Sequence, residues 1–197
     1  GPGNGSLCEK YNTYCDNVVL FEPSKNLFKN LETKFQSNEK IKINNSEFSS
    51  SNKKFDCFLL MDVIEHIENP QTLIKSLYDS LNENGKILIN VPAFQHLYSK
   101  FDEDVGHFKR YTKSSFVKEL LLIKPKKVKM FYYDFLGYFL SLVSQLLFLV
   151  SKKYKKNYKK DFKSKIKLWN YLIPISKILD RCAINSLGKS LFIIINK

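Results

Sequence analysis

Apolar and polar positions follow two rhythms along this chain: short continuous apolar runs, and longer stretches with a helical period. Val18-Val19-Leu20-Phe21 reads as a buried strand. From Ser24 to Phe35, the residues Leu27, Phe28, Leu31 and Phe35 fall on one stripe, which predicts a helix capped by Ser24. Ile41-Lys42-Ile43 is a short strand, and Cys57-Phe58-Leu59-Leu60-Met61 is a strand that is apolar throughout and therefore expected to be buried. A helix is predicted from Pro70 to Leu81, with proline at its start and Asn84-Gly85 just past its end. Lys86-Ile87-Leu88-Ile89-Asn90-Val91 is the next strand. Strands and helices in this order indicate right-handed crossovers and a mainly parallel sheet with helices on both faces, the α/β class.

After Pro92 the rhythm breaks. Residues 93–112 mix aromatics, two histidines and a mixed-charge cluster, and separate the Val91 strand from a helix near residues 113–122. An interruption of this length in a compact α/β domain is usually functional. Val128 to Tyr133 then alternates like a strand, and Leu191-Phe192-Ile193-Ile194-Ile195 is a final buried one. Between them, the uncharged stretch from Phe135 to Ser151 places Leu136, Leu140, Val143, Leu147 and Val150 on one stripe, which predicts a helix buried on that side. Its reach, at about 1.5 Å per residue, is about 25 Å, short of the roughly 30 Å hydrocarbon core of a bilayer.

Composition narrows the class. At 197 residues and 44% hydrophobic, the chain is large enough to bury one sizeable core. The expected organisation is a core over residues 1–133, a helical, Lys-rich extension or lid over 134–185, and a last core strand over 186–197. The net charge of +13 is uneven: residues 151–197 carry 13 Lys and Arg against 2 Asp and Glu, a surplus of 11, leaving 2 for the rest. Cys8, Cys15, Cys57 and Cys182 show no CxxC spacing, so reduced thiols are expected rather than a zinc site or disulfide framework. The opening residues lack a charged region followed by an apolar one, which points to a cytoplasmic protein.

Two stretches carry candidate chemistry. Gly1-Pro2-Gly3-Asn4-Gly5 is a turn whose backbone can approach a ligand closely, and Glu22 closes the first strand one helix later, where nucleotide-binding α/β folds place a carboxylate on ribose hydroxyls. Asp62-Val63-Ile64-Glu65-His66-Ile67 gathers polar residues at the carboxyl end of a strand, where open α/β sheets bind their ligands.

Together with the strand ending Asn90-Val91-Pro92-Ala93, these segments resemble a class I S-adenosylmethionine-dependent methyltransferase across residues 1–133. The later stretch Asp102-Glu103-Asp104-Val105-Gly106-His107-Phe108-Lys109-Arg110-Tyr111 is similar to the Asp-x-x-x-Gly-His-x-x-Arg-Tyr element of a bacterial subgroup associated with cell-surface glycan or lipid-linked pathways. Leu187-Gly188-Lys189-Ser190-Leu191 resembles that subgroup's turn into its last strand. The resemblance implies a Rossmann-like sheet in the order 3-2-1-4-5-7-6 with S-adenosyl-L-methionine as cofactor. It puts Gly1, Gly3, Asn4 and Gly5 around the methionine part, Glu22 on the ribose, Pro23 beside the adenine, and Asn45 and Ser46 near the adenine amine. Met61, Asp62 and Val63 would line the cofactor from the end of the fourth strand. In the family a strand and an acidic residue precede the glycines. That first strand is therefore expected to be missing from the sheet, leaving the Val18 and Cys57 strands without their shared neighbour.

Methyl transfer from a sulfonium requires orientation above all. For a hydroxyl acceptor, His66 and His107 are the candidate bases, histidine being the side chain that changes charge near neutral pH, and Tyr111 lies beside His107 in the interrupting loop. The spacing of Asp62, Glu65 and His66 also resembles metal-binding elements of ubiquinone O-methyltransferases and small-RNA 2′-O-methyltransferases, with His107 completing the set. The expected site is nevertheless metal-free. The expected function is methyl transfer to a small-molecule, glycan or lipid-linked acceptor. The alternatives are a methyltransferase-fold binding protein without catalysis and a nucleic-acid methyltransferase. The last is disfavoured because the lysines lie away from the expected site and no Asn-Pro-Pro-Tyr-like element follows the fourth strand. Residues 152–167 carry nine lysines against Asp161, interleaved with Tyr154, Tyr158 and Phe162, and Trp169 and Tyr171 follow. Residues 135–180 are therefore expected to cover the acceptor pocket and to rest on the anionic inner face of the membrane.

Overall fold

A computed structural model describes residues 1–50, 52–150, 162–182 and 186–197. They form two compact units, Gly1–Lys54 and Phe55–Lys197. In the first, β1 (Val18–Phe21) pairs in parallel with β2 (Ile41–Asn44), Val18 opposite Ile41. The helix α2 (Lys25–Phe35) connects them, and the Ser24 side chain caps it by accepting from the Leu27 amide. Leu31 and Phe35 of α2 close on Leu20 and Ile41, with Cys8 and Val18 packed around them. The short helix α1 (Ser6–Tyr11) starts at Gly5, whose φ of 74° is left-handed. A Cβ on Gly5 would fall 2.7 Å from the Phe35 ring and 2.8 Å from Leu31, so this glycine is there to let α1 meet α2.

The second unit is built on a four-stranded sheet in the order β3-β4-β6-β5. β3 (Phe55–Met61) and β4 (Leu81–Pro92) are parallel, whereas β6 (Ser190–Asn196) runs antiparallel to both β4 and β5 (Lys127–Tyr133). Three of its four strands, β3, β4 and β5, therefore run in one direction, and the sheet is mainly parallel as expected, with β6 returning against its two neighbours. The order itself matches the 4-5-7-6 half of the expected arrangement, and β1 with β2 matches its 2-3 pair. Ile87, Ile89, Val91, Leu191, Ile193 and Ile195 are fully buried and make the centre of this core. The helix α3 (Gln71–Asp79) adds Ile74 and Leu77 to it.

Three local expectations change. The β3 strand is buried only at Phe58 and Leu60, while Cys57 is exposed and Leu59 is 46% exposed, because alternate side chains of a strand point to opposite faces and one of these faces is open. The Asn84-Gly85 pair lies inside β4: α3 stops at Asp79, Leu81 already pairs with Phe55, and a register shift carries Cys57 opposite Lys86. Residues 93–112 contain a helix, α4 (Lys100–Val105), which a Ser99–Asp102 capping box starts and Gly106 at φ 81° ends. The helix α5 (Lys113–Val117) follows, capped by Thr112.

The extension begins with α6 (Phe135–Val150) and includes α7 (Phe162–Cys182). The lysines of 152–160 and Asp161 lie outside the described residues. The buried stripe predicted for α6 is exposed instead, with Val143 at 52% and Val150 at 71%. The face turned inward carries Gly137, Ser141, Ser144 and Gln145, whose small or polar side chains allow close approach, and the Gln145 amide donates to the Tyr98 carbonyl. No described helix is long and apolar enough to cross a membrane.

Candidate active site

In the first unit the polar residues expected to hold a cofactor sit at the carboxyl ends of β1 and β2. Glu22 is 4% exposed, and one carboxylate oxygen accepts from the Ser24 amide. Its other oxygen lies 3.5 Å from the position a Cβ on Gly1 would take. The Asn45 side-chain amide donates to the carbonyls of Glu22 and Pro23 and so joins the two strand ends, which leaves its oxygen as an acceptor. The Asn4 side chain accepts from the Ser6 amide, and Gly3 is left-handed at φ 57° with open space beside it. Pro23 and Ser46 are exposed.

In the second unit the turn after β3 carries the chemistry. Asp62 adopts φ 54° and accepts from the Asn90 side chain, which in turn accepts from the Tyr133 hydroxyl. Met61 and Val63 flank it, both half-buried. A single 3₁₀ turn, Ile64–His66, then buries Glu65 completely and leaves His66 exposed. Among the described residues neither carboxyl oxygen of Glu65 has a hydrogen-bond partner, and burial pushes this carboxyl up to about 8.

The Gly-His-x-x-Arg-Tyr element resolves into a support for one histidine. Arg110 donates through Nε and Nη2 to the two oxygens of the fully buried Asp102, at 2.9 and 3.0 Å. The Ser99 amide and hydroxyl donate to the same carboxylate. His107 Nδ1 donates to Asp102 at 2.8 Å, which fixes the tautomer and leaves Nε2 as a lone-pair donor, 3.9 Å from Glu65. His66 is fixed likewise, because Nδ1 meets the Gly106 carbonyl at 3.2 Å and a carbonyl only accepts. The two imidazoles lie edge to face with centroids 4.7 Å apart, and the Phe108 amide donates to the Glu65 carbonyl and ties the two loops.

Of the three expected catalytic residues, His66 and His107 come together, and Tyr111 is buried. It is 1% exposed, its ring packs on Phe116, and burial pushes its hydroxyl well above the usual tyrosine range. In the sequence, Asp102 and Arg110 are recognisable only as letters of the Asp-x-x-x-Gly-His-x-x-Arg-Tyr element. The signal that would have found them is the Asp-x-x-x-Gly-His spacing, in which one helical turn ending at glycine returns the histidine to the aspartate.

Comparison with known proteins gives the same picture. The sequence matches the family described as "Methyltransferase domain" over residues 1–121. No curated protein matches it. Among solved structures, the phosphoethanolamine N-methyltransferase 2 of Haemonchus contortus, determined with S-adenosyl-L-methionine, superposes with a TM-score of 0.61 at 14% identity, over 100% of this chain and 47% of that one. A plantazolicin methyltransferase in complex with S-adenosylhomocysteine gives 0.59 at 17% identity, over 100% and 74%. The N-methyltransferase NodS of Bradyrhizobium japonicum, also with S-adenosylhomocysteine, gives 0.52 at 13%, over 66% of each chain. At these identities the likeness is one of fold, and the chain spans about half the length of the Haemonchus enzyme. The family match covers more than half of the sequence; the chain belongs to the methyltransferase-domain family.

Proposed function

We propose that this chain transfers the methyl group of S-adenosylmethionine to a small-molecule or lipid-linked acceptor met at an anionic membrane surface. The observation that carries the reaction type is Glu22, a buried carboxylate at the carboxyl end of a parallel strand with one oxygen committed to the Ser24 amide. The second oxygen suits a ribose hydroxyl. The solved relatives above were determined with S-adenosylmethionine or its demethylated product, which supports the same cofactor here. On the acceptor side, His66 and His107 each keep a ring nitrogen with a free lone pair. The membrane part of the reading is supported by the exposed apolar face of α6, which is followed in the sequence by the nine lysines of residues 152–167.

Calorimetry with S-adenosylhomocysteine on the 197-residue chain tests the reaction type. Native protein is expected to bind, and Glu22→Ala to bind more weakly by about 1–3 kcal/mol, the worth of a charge-assisted hydrogen bond. Absence of binding by the native chain would favour a methyltransferase-fold binding protein without catalysis. Equal binding by the variant would remove Glu22 from the site.

A further inference from the structure

We infer that Glu65, His66 and His107 form a binding site for one divalent first-row transition-metal ion. One oxygen of Glu65 and one ring nitrogen from each histidine all lie within 4.8 Å of one another. Rotations of these side chains by a few tenths of an ångström to an ångström at the tips bring such donors to the roughly 2.0–2.2 Å reach of a central ion.

Three features of the chain separate this cluster from a chance meeting of polar groups. Glu65 is 0% exposed and both of its oxygens lack a donor among the described residues, a state that burial penalises and a cation relieves. Each histidine turns Nδ1 to an acceptor, the Gly106 carbonyl or Asp102, which leaves Nε2 as the ring nitrogen placed to ligate an ion. His107 is oriented by a buried carboxylate that is itself clamped by Arg110 and Ser99, the arrangement that steadies a metal-bound imidazole from behind.

The donor set also selects the ion. Two neutral imidazoles and one carboxylate suit zinc, iron, cobalt or nickel, whereas magnesium and calcium prefer oxygen throughout. Three protein donors leave coordination positions for an oxygen ligand, and the ion would supply Lewis-acid polarisation of that oxygen. This consequence deepens the methyl-transfer reading by favouring a hydroxyl-bearing acceptor; the binding site itself does not depend on that reading.

The test uses the full chain, stripped with a chelator and dialysed against Zn²⁺ alone, with Co²⁺ absorption as the spectroscopic readout. One equivalent of zinc is expected, with cobalt giving visible bands of a nitrogen- and oxygen-ligated ion. Glu65→Gln and His66→Ala should each weaken zinc binding at least tenfold, and His66 is exposed, so its loss leaves the fold intact. Circular dichroism checks that for both variants. Zinc binding that is absent, or unchanged in both variants, overturns the site, and tight Mg²⁺ binding with none of Zn²⁺ overturns the choice of ion. S-adenosylhomocysteine binding measured on the same samples keeps a failure of this inference apart from a failure of the methyl-transfer reading.

Discussion

Asp102 is 0% exposed and accepts five hydrogen bonds, two from Arg110, two from Ser99 and one from His107. Burial alone would push its carboxyl up, but the hydrogen bonds and charge of Arg110, with the bond from His107, outweigh it and hold it below the usual carboxylate range. Asp102→Ala leaves the 7% exposed Arg110 without its counter-charge, and a buried pair broken from one side costs about 3–5 kcal/mol. Urea unfolding followed by circular dichroism is expected to show a loss of that size. A loss below about 1 kcal/mol would mean that the pair contributes only what a surface ion pair does. In the sequence this residue is one of three acids in Asp102-Glu103-Asp104, and only the turn of α4 decides which of them faces inward.

At the scale of elements, the join between β5 and α6 is held by polar groups from α7. Asp180 accepts from the amides of Asp134 and Phe135, and the Ser176 hydroxyl donates to Asp134, whose side chain also accepts from the Gly137 amide. Burial, with some help from Asp180, pushes the Asp134 carboxyl above its ordinary value of 3.8. A carboxyl raised on folding contributes stability that is complete below its unfolded pKa and is lost as pH rises through the folded one. Asp134→Asn keeps the acceptor oxygen and tolerates the left-handed φ of 67°. Its thermal midpoint should therefore exceed that of the native chain at pH 7, and the two should converge towards pH 4. A lower midpoint at pH 7 would show that the ionised form is the one the helix start favours. None of this network was legible beforehand, because Asp134 and Asp180 are distant in sequence and each reads as a surface acid.

Across the whole molecule, charge and apolar exposure fall on the same part of the chain. The +11 surplus of residues 151–197 adjoins α6, whose Leu146, Leu149 and Val150 are 60%, 73% and 71% exposed. On α7, Tyr171, Ile175 and Ile178 continue at helical spacing and are exposed as well. On the proposed reading, the exposed apolar side chains would insert into an anionic lipid surface and the lysines that follow α6 in the sequence would meet its phosphates. Co-sedimentation with vesicles containing phosphatidylserine should retain the protein, with retention falling as salt rises and largely absent with phosphatidylcholine alone. Equal retention on both vesicle types would leave the lysines without a part in docking. A doubly substituted Leu146→Ser/Leu149→Ser chain should lose most of the retention while unfolding at the same temperature, since both side chains already face solvent.

The residues by themselves determined the rhythm of strands and helices, the ends of β1 and α2, the placement of Glu22 and His66 just past strand ends, and the family. Those features are local: periodicity, caps and turn residues act within a few positions of one another. Tertiary structure alone decided the register of β6 against β4 and β5, that the Tyr111 ring is buried, and that α6 turns its small residues inward. It also decided that Glu65, buried without a partner, would face two histidines from different loops. These outcomes depend on which distant surfaces meet, and apolar runs and lone polar letters look the same in sequence whether they face a core, a ligand or a lipid.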